Sequence, residues 1–112
     1  MTGKYINVTD ETFQAEVLGS AVPVLADFWA VWCGPCRAIA PVIQAVATEY
    51  EGRAKVVKIN VDDNQLVPMR YNIRSIPTLL FFERGRVVDQ VVGAVSKREL
   101  TKRLDNLIGQ AA

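Results

Sequence analysis

The sequence contains no histidine and only two cysteines, Cys33 and Cys36. A zinc site usually needs four nitrogen, sulfur or oxygen ligands, so a zinc site built by one chain is disfavoured. No apolar run approaches the roughly 18 residues that cross a membrane, which argues against a transmembrane helix. Thirteen basic and twelve acidic residues give a formal net charge of +1. We therefore expect no binding to nucleic acid or to a membrane surface.

The length of 112 residues suits one hydrophobic core, so we expect a single domain over residues 1–112. Half of the residues are hydrophobic, which excludes a disordered chain. The first ten residues lack the apolar core of a secretory signal and turn acidic early. These features predict a cytoplasmic protein, although a mature organellar form without its targeting segment would look the same. We also expect the chain to act as a monomer.

Both cysteines and both tryptophans fall within one stretch, Asp27 to Cys36. The apolar run before the cysteines predicts a strand over residues 22–29 that is buried on both faces. Apolar residues at helical spacing after them predict a helix from Gly34 to about Tyr50. The pattern of this stretch therefore predicts strand, tight turn and helix, with the cysteines at the helix start.

The start of a helix favours the thiolate form of Cys33, because the N–H groups there are unpaired and the helix dipole is positive. Cys33 is therefore the predicted nucleophile. Residues three apart in a helical turn lie on one face, so Cys33 and Cys36 can close or open a disulfide with little movement. Pro35 fits the first turn, where the N–H that it lacks would have no partner.

Two roles other than redox exchange are compatible with a close pair of cysteines. A purely structural disulfide is disfavoured, because closing so short a loop would remove little entropy from the unfolded chain. A metal or iron–sulfur site shared by two chains is a weaker alternative, and colour or metal content would reveal it. Redox exchange between thiols and disulfides is the favoured interpretation.

The remaining pattern predicts alternating strands and helices. Thr9 or Asp10 can cap the N-terminus of the first helix, and Gly19 is expected to end it. The last helix is expected to begin with a capping box at Ser96 to Glu99 and to end at Gly109. The predicted strands cover residues 4–8, 22–29, 55–62, 79–82 and 87–92, with a four-residue hairpin turn at 83–86, and the predicted helices cover about 10–18, 34–50, 64–71 and 97–108. The order β-α-β-α-β-α-β-β-α predicts an α/β fold with a mixed central sheet and helices on both faces.

Two charged residues lie in predicted strands. Asp27 sits in an apolar strand, where desolvation would raise its pKa and make it a candidate for proton transfer; alternatively it lies at the strand end and reaches water. Lys58 falls on the strand face opposite to Val57 and Ile59, and an ordinary solvated lysine would fit there equally well.

The stretch Trp32-Cys33-Gly34-Pro35-Cys36, with Asp27 upstream, resembles the active site of the thioredoxin family. Ile76-Pro77-Thr78 resembles the cis-proline loop of that family, and Gly93 also matches. The resemblance covers Lys4 to Ile108 and implies a thioredoxin fold with a five-stranded sheet. Asn72 departs from the family pattern, which often has glycine in a turn where asparagine also tolerates a left-handed conformation.

The resemblance also implies site roles. It places Asp27 beneath Cys36 as the proton acceptor, with Lys58 beside Asp27 to tune it. It predicts a cis bond before Pro77, where base rates alone favour trans, and a loop that faces the cysteines and offers the Ile76 backbone to an extended substrate. The implied platform for target proteins comprises Trp32, Gly34, Pro35, Ile76, Pro77, Val92, Gly93 and Ala94.

The predicted activity is reduction of disulfides in other proteins by dithiol–disulfide exchange through Cys33 and Cys36. No organic cofactor or metal is expected to be bound. The family resemblance implies an electron donor, either a flavin-containing reductase that uses NADPH or a ferredoxin-linked one. The alternatives are a disulfide oxidase or isomerase, which the absence of histidine between the cysteines disfavours, and a binding module in which redox chemistry is incidental.

Overall fold

The computed structural model describes residues 5–110, and of Gln110 it describes only the backbone. The strands are β1 (Ile6–Asn7), β2 (Val24–Trp29), β3 (Lys55–Asn60), β4 (Thr78–Glu83) and β5 (Arg86–Val92). The helices are a single-turn π-helix (Gln14–Leu18), α1 (Gly34–Glu49), α2 (Leu66–Arg70) and α3 (Lys97–Gln110). The predicted order of strands and helices is confirmed.

The five strands form one mixed sheet in the order β1-β3-β2-β4-β5. Strands β1 and β2 both run parallel to β3, whereas β4 runs antiparallel to both β2 and β5. Strand β2 is therefore central, and Val24 to Phe28 within it are all buried. An apolar run covered on both faces is what the sequence predicts for this strand.

Alternate side chains of β2 enter two different cores, one on each face of the sheet. The core formed with α1 and α3 includes Leu25, Ile43, Val56, Phe81, Leu100 and Leu104. The opposite core includes Phe13, Val17, Phe28, Ile59, Val67 and Phe82. The sheet thus carries helices on both faces, as predicted, and Asp27 shares the face of Leu25 by alternation.

The first helix is shorter than predicted. Residues 10–12 form turns, and one π-helical turn over Gln14–Leu18, capped by Phe13, follows them and ends at Gly19. Thr9 caps this region, since its Oγ1 accepts a hydrogen bond from the Thr12 N–H at 3.2 Å. The five-residue turn still buries Val17 against the sheet.

Asp10 caps a different helix from the one that the sequence predicts. Its carboxylate accepts hydrogen bonds from the N–H groups of Leu66 and Val67, at 3.2 and 2.9 Å, at the start of α2. Its own N–H donates to Oδ1 of Asn64 at 2.9 Å. Asp10 therefore ties the turn after β1 to a helix more than fifty residues away in sequence.

We expect Asp10→Ala to lower the free energy of unfolding by about 1 kcal/mol, because two N–H groups at the start of α2 lose their acceptor. Urea denaturation followed by circular dichroism measures the loss. Glu11→Ala, a change at the exposed neighbouring carboxylate, is the control and should stay within about 0.5 kcal/mol of the wild type. Equal losses in the two variants would contradict the capping role.

Several boundaries near the C-terminus differ from the prediction. The hairpin turn has two residues rather than four, because Glu83 pairs with Arg86 and only Arg84 and Gly85 lie between the strands. Their φ angles of 53° and 79° suit a tight hairpin turn with both residues in the left-handed region. The prediction that Gly109 ends the last helix was wrong, since α3 continues through it.

Other local predictions hold in part. Strand β1 spans two residues instead of five, and Lys4 lies outside the described residues. Strand β3 ends at Asn60, two residues earlier than predicted. Asn72 adopts the predicted left-handed conformation with φ of 57°. The capping box is confirmed at its first residue, because Oγ of Ser96 accepts from the Glu99 N–H at 3.1 Å.

Candidate active site

The two cysteines lie at the N-terminus of α1 and form a disulfide. Cys33 is the cap residue of the helix, with extended backbone, and its Sγ accepts a hydrogen bond from the Cys36 N–H at 3.2 Å. Pro35 occupies the first turn, as predicted. A backbone N–H directed at sulfur, together with the positive end of a sixteen-residue helix, favours a thiolate at Cys33 once the disulfide opens.

Both sulfur-bearing residues are nearly closed off from solvent. Cys33 and Cys36 are each 4% exposed and form a small cluster with Ala30, against which Trp29 and Ile76 pack. A target disulfide must therefore fit closely to the surface around Cys33 before its sulfur can reach the site.

The turn before Cys33 projects two apolar side chains into solvent, with Val31 63% and Trp32 67% exposed. The turn is held by polar contacts: Nε1 of Trp32 donates to Oδ2 of Asp62 at 2.8 Å, and Nη1 of Arg37 donates to the Val31 carbonyl at 2.8 Å. The sequence does not predict Asp62 or Arg37 as site residues. No local pattern marks them, because each contact depends on the folded path of the chain.

The loop before β4 lies against the cysteines. The peptide bond between Ile76 and Pro77 is cis, as the family resemblance predicts. The Ile76 carbonyl oxygen lies 3.8 Å from Sγ of Cys33. The Gly93 N–H donates to the Pro77 carbonyl at 2.8 Å, so the end of β5 is joined to the same loop.

The backbone conformation at position 93 favours glycine. Its φ of +91° is one that residues with a side chain rarely adopt. A Cβ atom built on Gly93 would meet no described atom within 4 Å. The positive φ of Gly93 therefore favours glycine at this position.

The eight residues predicted to form the target platform differ in exposure. Trp32, Gly34, Pro35, Val92 and Ala94 are exposed, Ile76 and Gly93 are half-buried, and Pro77 is buried. The structure joins the cis-proline loop to Cys33 through Ile76 and to Gly93 through Pro77. Among these residues Pro77 is the least available for direct contact with a target.

Asp27 is buried within β2, only 1% exposed, and its Oδ1 has no hydrogen-bond partner in the described part of the chain. The alternative of a carboxylate that reaches water at a strand end is therefore wrong. Burial raises the pKa of Asp27 from 3.8 to about 7, and the positive charge of Lys58 opposes this rise only in part. Such a carboxyl group can both release and accept a proton near neutral pH.

Lys58 lies opposite Asp27, because the two residues are register partners in the parallel pair β2 and β3. Its Nζ sits 4.4 Å from the centroid of the Trp29 ring and 5.1 Å from that of Tyr5. These are distances at which a cation is attracted to an aromatic face. Lys58 is therefore half-buried between two rings and is not the freely solvated lysine of the alternative interpretation.

Trp29 links the carboxylate to the cysteines. It is two residues beyond Asp27 on the same face of β2, and it packs against the Cys33–Cys36 cluster. Trp29 and Lys58 both line a hollow of about 480 Å³ whose other walls are largely polar. The Asp27–Lys58 pair and the disulfide thus share one neighbouring side chain.

The described residues contain no group of three or more acidic, cysteine or histidine side chains that could hold a metal ion. None of the helices within residues 5–110 is both long and apolar enough to cross a membrane.

Comparison with known proteins gives a consistent result. The family model named Thioredoxin matches residues 4–106 of the chain. Thioredoxin 2 of Chlorobaculum tepidum is 52% identical over 109 residues, which cover 97% of this chain and 100% of that protein. Thioredoxin 1 of Nostoc sp. is 59% identical over 98 residues, covering 88% and 92%. The thioredoxin of Pseudomonas aeruginosa is 50% identical over 105 residues, covering 94% and 97%.

The Cys33–Cys36 disulfide lies at the start of a helix, where two residues three apart can form or break a disulfide with little movement. Such a pair is suited to exchange electrons with other disulfides. On this geometry and these relatives the chain is a thiol-disulfide oxidoreductase. More specifically, it belongs to the thioredoxin family. It works by dithiol–disulfide exchange through Cys33 and Cys36, which reduces disulfides in target proteins, as the sequence predicts.

Proposed function

We propose that Cys33 is the nucleophile and Cys36 the resolving thiol of a protein-disulfide reductase. The Cys33 thiolate attacks one sulfur of a target disulfide, and the other target sulfur leaves and takes up a proton. Cys36 then loses its proton and attacks Sγ of Cys33, which releases the second target sulfur as a thiolate. Two electrons pass to the target, and the Cys33–Cys36 disulfide remains. The hydrogen bond from the Cys36 N–H to Sγ of Cys33 is the observation that carries this assignment.

In this proposal Asp27 accepts the proton of Cys36. Its pKa of about 7 lies between that of an ordinary carboxyl group and that of a thiol, so transfer is feasible in both directions. Lys58 tunes the acceptor, since its positive charge favours the ionised form of Asp27. Both roles draw support from the register of β2 and β3, which places these two residues side by side.

The platform residues of the prediction, Trp32, Gly34, Pro35, Ile76, Pro77, Val92, Gly93 and Ala94, would receive the target protein. Most of them are exposed around two nearly buried sulfurs. The targets are proteins with an accessible disulfide, and the electron donor is a thioredoxin reductase, either a flavoprotein that uses NADPH or a ferredoxin-linked enzyme. The chain would act as a monomer without a bound cofactor, in the cytoplasm, where thiols are kept reduced.

Trp32→Ala should raise the KM for a protein disulfide by roughly 10-fold, because the indole is exposed beside Cys33 and forms a large apolar part of the platform. The rate at saturating target should change less, since Cys33 and its helix are retained. Steady-state reduction of a protein disulfide measures both constants. Met69→Ala, which removes another highly exposed apolar side chain, is the matched control. A loss confined to the saturated rate would argue against a binding role for Trp32.

The reduction potential of the cysteine pair tests the direction of electron flow. We expect a value clearly more negative than the glutathione pool, because a reductase must give electrons to its targets. Equilibration with defined thiol–disulfide buffers, read by alkylation of free thiols, measures it. A more positive value would instead favour a disulfide oxidase or isomerase. A tenfold change in the equilibrium constant corresponds to about 30 mV for this two-electron couple. The measurement therefore separates a reductase from an oxidase or isomerase.

A further inference from the structure

An apolar hollow of about 180 Å³ lies beside the reactive cysteine. Its walls include Trp32, Val61, Pro68, Ile73, Ile76 and Arg74. Trp32 precedes Cys33 in the chain, and the Ile76 carbonyl is 3.8 Å from Sγ of Cys33. A side chain of a target that reaches the sulfur can therefore enter this hollow, and among the described residues Arg74 is the one charged group in its wall.

A second hollow, of about 250 Å³, is also lined by the loop before β4, at residues 73–75. Its walls include Asn72, Arg74, Thr78, Gln90 and Val92. The first hollow thus includes Trp32 in its wall and the second includes Val92, and both residues belong to the predicted platform. Arg74 lines both of them, so a target segment that extends from one hollow to the other lies near its side chain.

The guanidinium of Arg74 is oriented but not neutralised. Its Nε donates to Oδ1 of Asn72 at 3.1 Å, and Asn72 can hold its amide there in the left-handed turn that it occupies. Within residues 5–110, no carboxylate forms an ion pair with Arg74. Asp62 accepts the indole N–H of Trp32 and keeps its negative charge, but it is not among the described carboxylates that form ion pairs. Arg74 is thus an oriented positive charge beside the reactive cysteine, with no ion-pair partner among the described residues.

We propose that Arg74 selects target segments that carry an acidic side chain next to the reactive cysteine, with an apolar side chain in the hollow beside Trp32. This inference rests on the proposed function and names the chemistry of the preferred target. A carboxylate complements the charge of Arg74, and a guanidinium binds it with two parallel hydrogen bonds where geometry allows. Because Asn72 takes only the Nε donor, the terminal nitrogens of Arg74 remain for the target.

Short peptides can test this selection on the full chain. Each peptide has one cysteine, an apolar residue on one side and either glutamate or glutamine on the other, and the cysteine is joined to thionitrobenzoate. Attack by the Cys33 thiolate on the peptide sulfur releases the coloured thionitrobenzoate thiolate, and Cys36 then frees the peptide thiol. At low salt we expect the glutamate peptide to react about threefold to fivefold faster, with the ratio falling as salt rises.

Variants separate Arg74 from general charge effects. Arg74→Gln should bring the ratio of rates to about one, and Arg74→Glu should make the glutamate peptide the slower one. Asn72→Gly, which keeps the left-handed turn but removes the amide, should lower the ratio part of the way. Arg70→Glu is the control: Arg70 is an exposed arginine at the end of α2 that lines neither hollow, and its loss should leave the preference in place.

Each contrary result has a distinct meaning. Equal rates for the two peptides with the wild-type chain would overturn the selection by Arg74 and leave the reductase activity intact. Equal loss of preference in Arg70→Glu and Arg74→Glu would also overturn it, because net charge would then be the cause. Failure of the reduced chain to attack either peptide would instead contradict the proposed function itself.

Discussion

Replacing Cys33 with serine should lower the rate of protein-disulfide reduction by on the order of 10³-fold or more, because a serine hydroxyl is not ionised near neutral pH and cannot replace the thiolate. The geometry around the cap of α1 can persist, since serine is a favoured cap residue. The rate is measured with a protein disulfide as target and excess dithiothreitol as donor. Unchanged circular dichroism would show that the fold is retained.

Cys36→Ser provides the contrasting result. Cys33 should still attack targets in this variant, but no second thiol can release them, so mixed disulfides through Cys33 should accumulate. Non-reducing electrophoresis and mass spectrometry detect them. Trapping through Cys36 in Cys33→Ser, or full function of the double serine variant, would overturn the assignment, and the latter result would favour a binding module.

Asp27→Asn should stabilise the folded chain at pH 8 by on the order of 4 kcal/mol. The pKa of Asp27 rises from 3.8 to about 7 on folding, so between these values the folded state holds a proton that the unfolded state has lost. Stability therefore falls as pH rises through this window, and above it the full cost of a buried charge, about 1.4 kcal/mol per pH unit of the rise, is present. The neutral amide does not bear this cost.

Urea denaturation of the wild type and Asp27→Asn from pH 4 to pH 9 measures the difference. The two chains should have similar stability near pH 4 and diverge as pH approaches 7. Asp63→Asn, at an exposed carboxylate, should show no comparable divergence. Parallel stability profiles for Asp27→Asn and the wild type would mean that the Asp27 carboxyl titrates normally in the folded chain.

The parts of the fold that the sequence predicts well are those fixed by local pattern. The continuous apolar run of β2 and the helical spacing after Gly34 each repeat over several residues, so the strand and α1 agree with prediction within two residues at either end. The position of Cys33 as the helix cap follows from the same pattern. The raised pKa of Asp27 is predictable because burial is implied wherever every neighbour along a strand is apolar.

The parts that escaped prediction depend on contacts between distant segments. Asp10 looks like a cap for the helix that follows it, and only the fold reveals that it caps α2. The hydrogen bond from Trp32 to Asp62 joins residues thirty positions apart. Likewise, Arg74 can be recognised as a neighbour of both hollows only once the cis-proline loop is placed.

The two outer strands of the sheet bear on self-association. Strand β1 offers only two residues for pairing, and the register of β5 shifts opposite Phe81 and Phe82, where a bulge bends the strand. Short or irregular edges are poor templates for adding strands from another molecule. A protein that exposes an apolar surface to its targets, as proposed for the residues around Cys33, also risks associating with copies of itself. In this sheet the two-residue β1 and the bulge in β5 interrupt the regular edges at which a strand from another copy could be added.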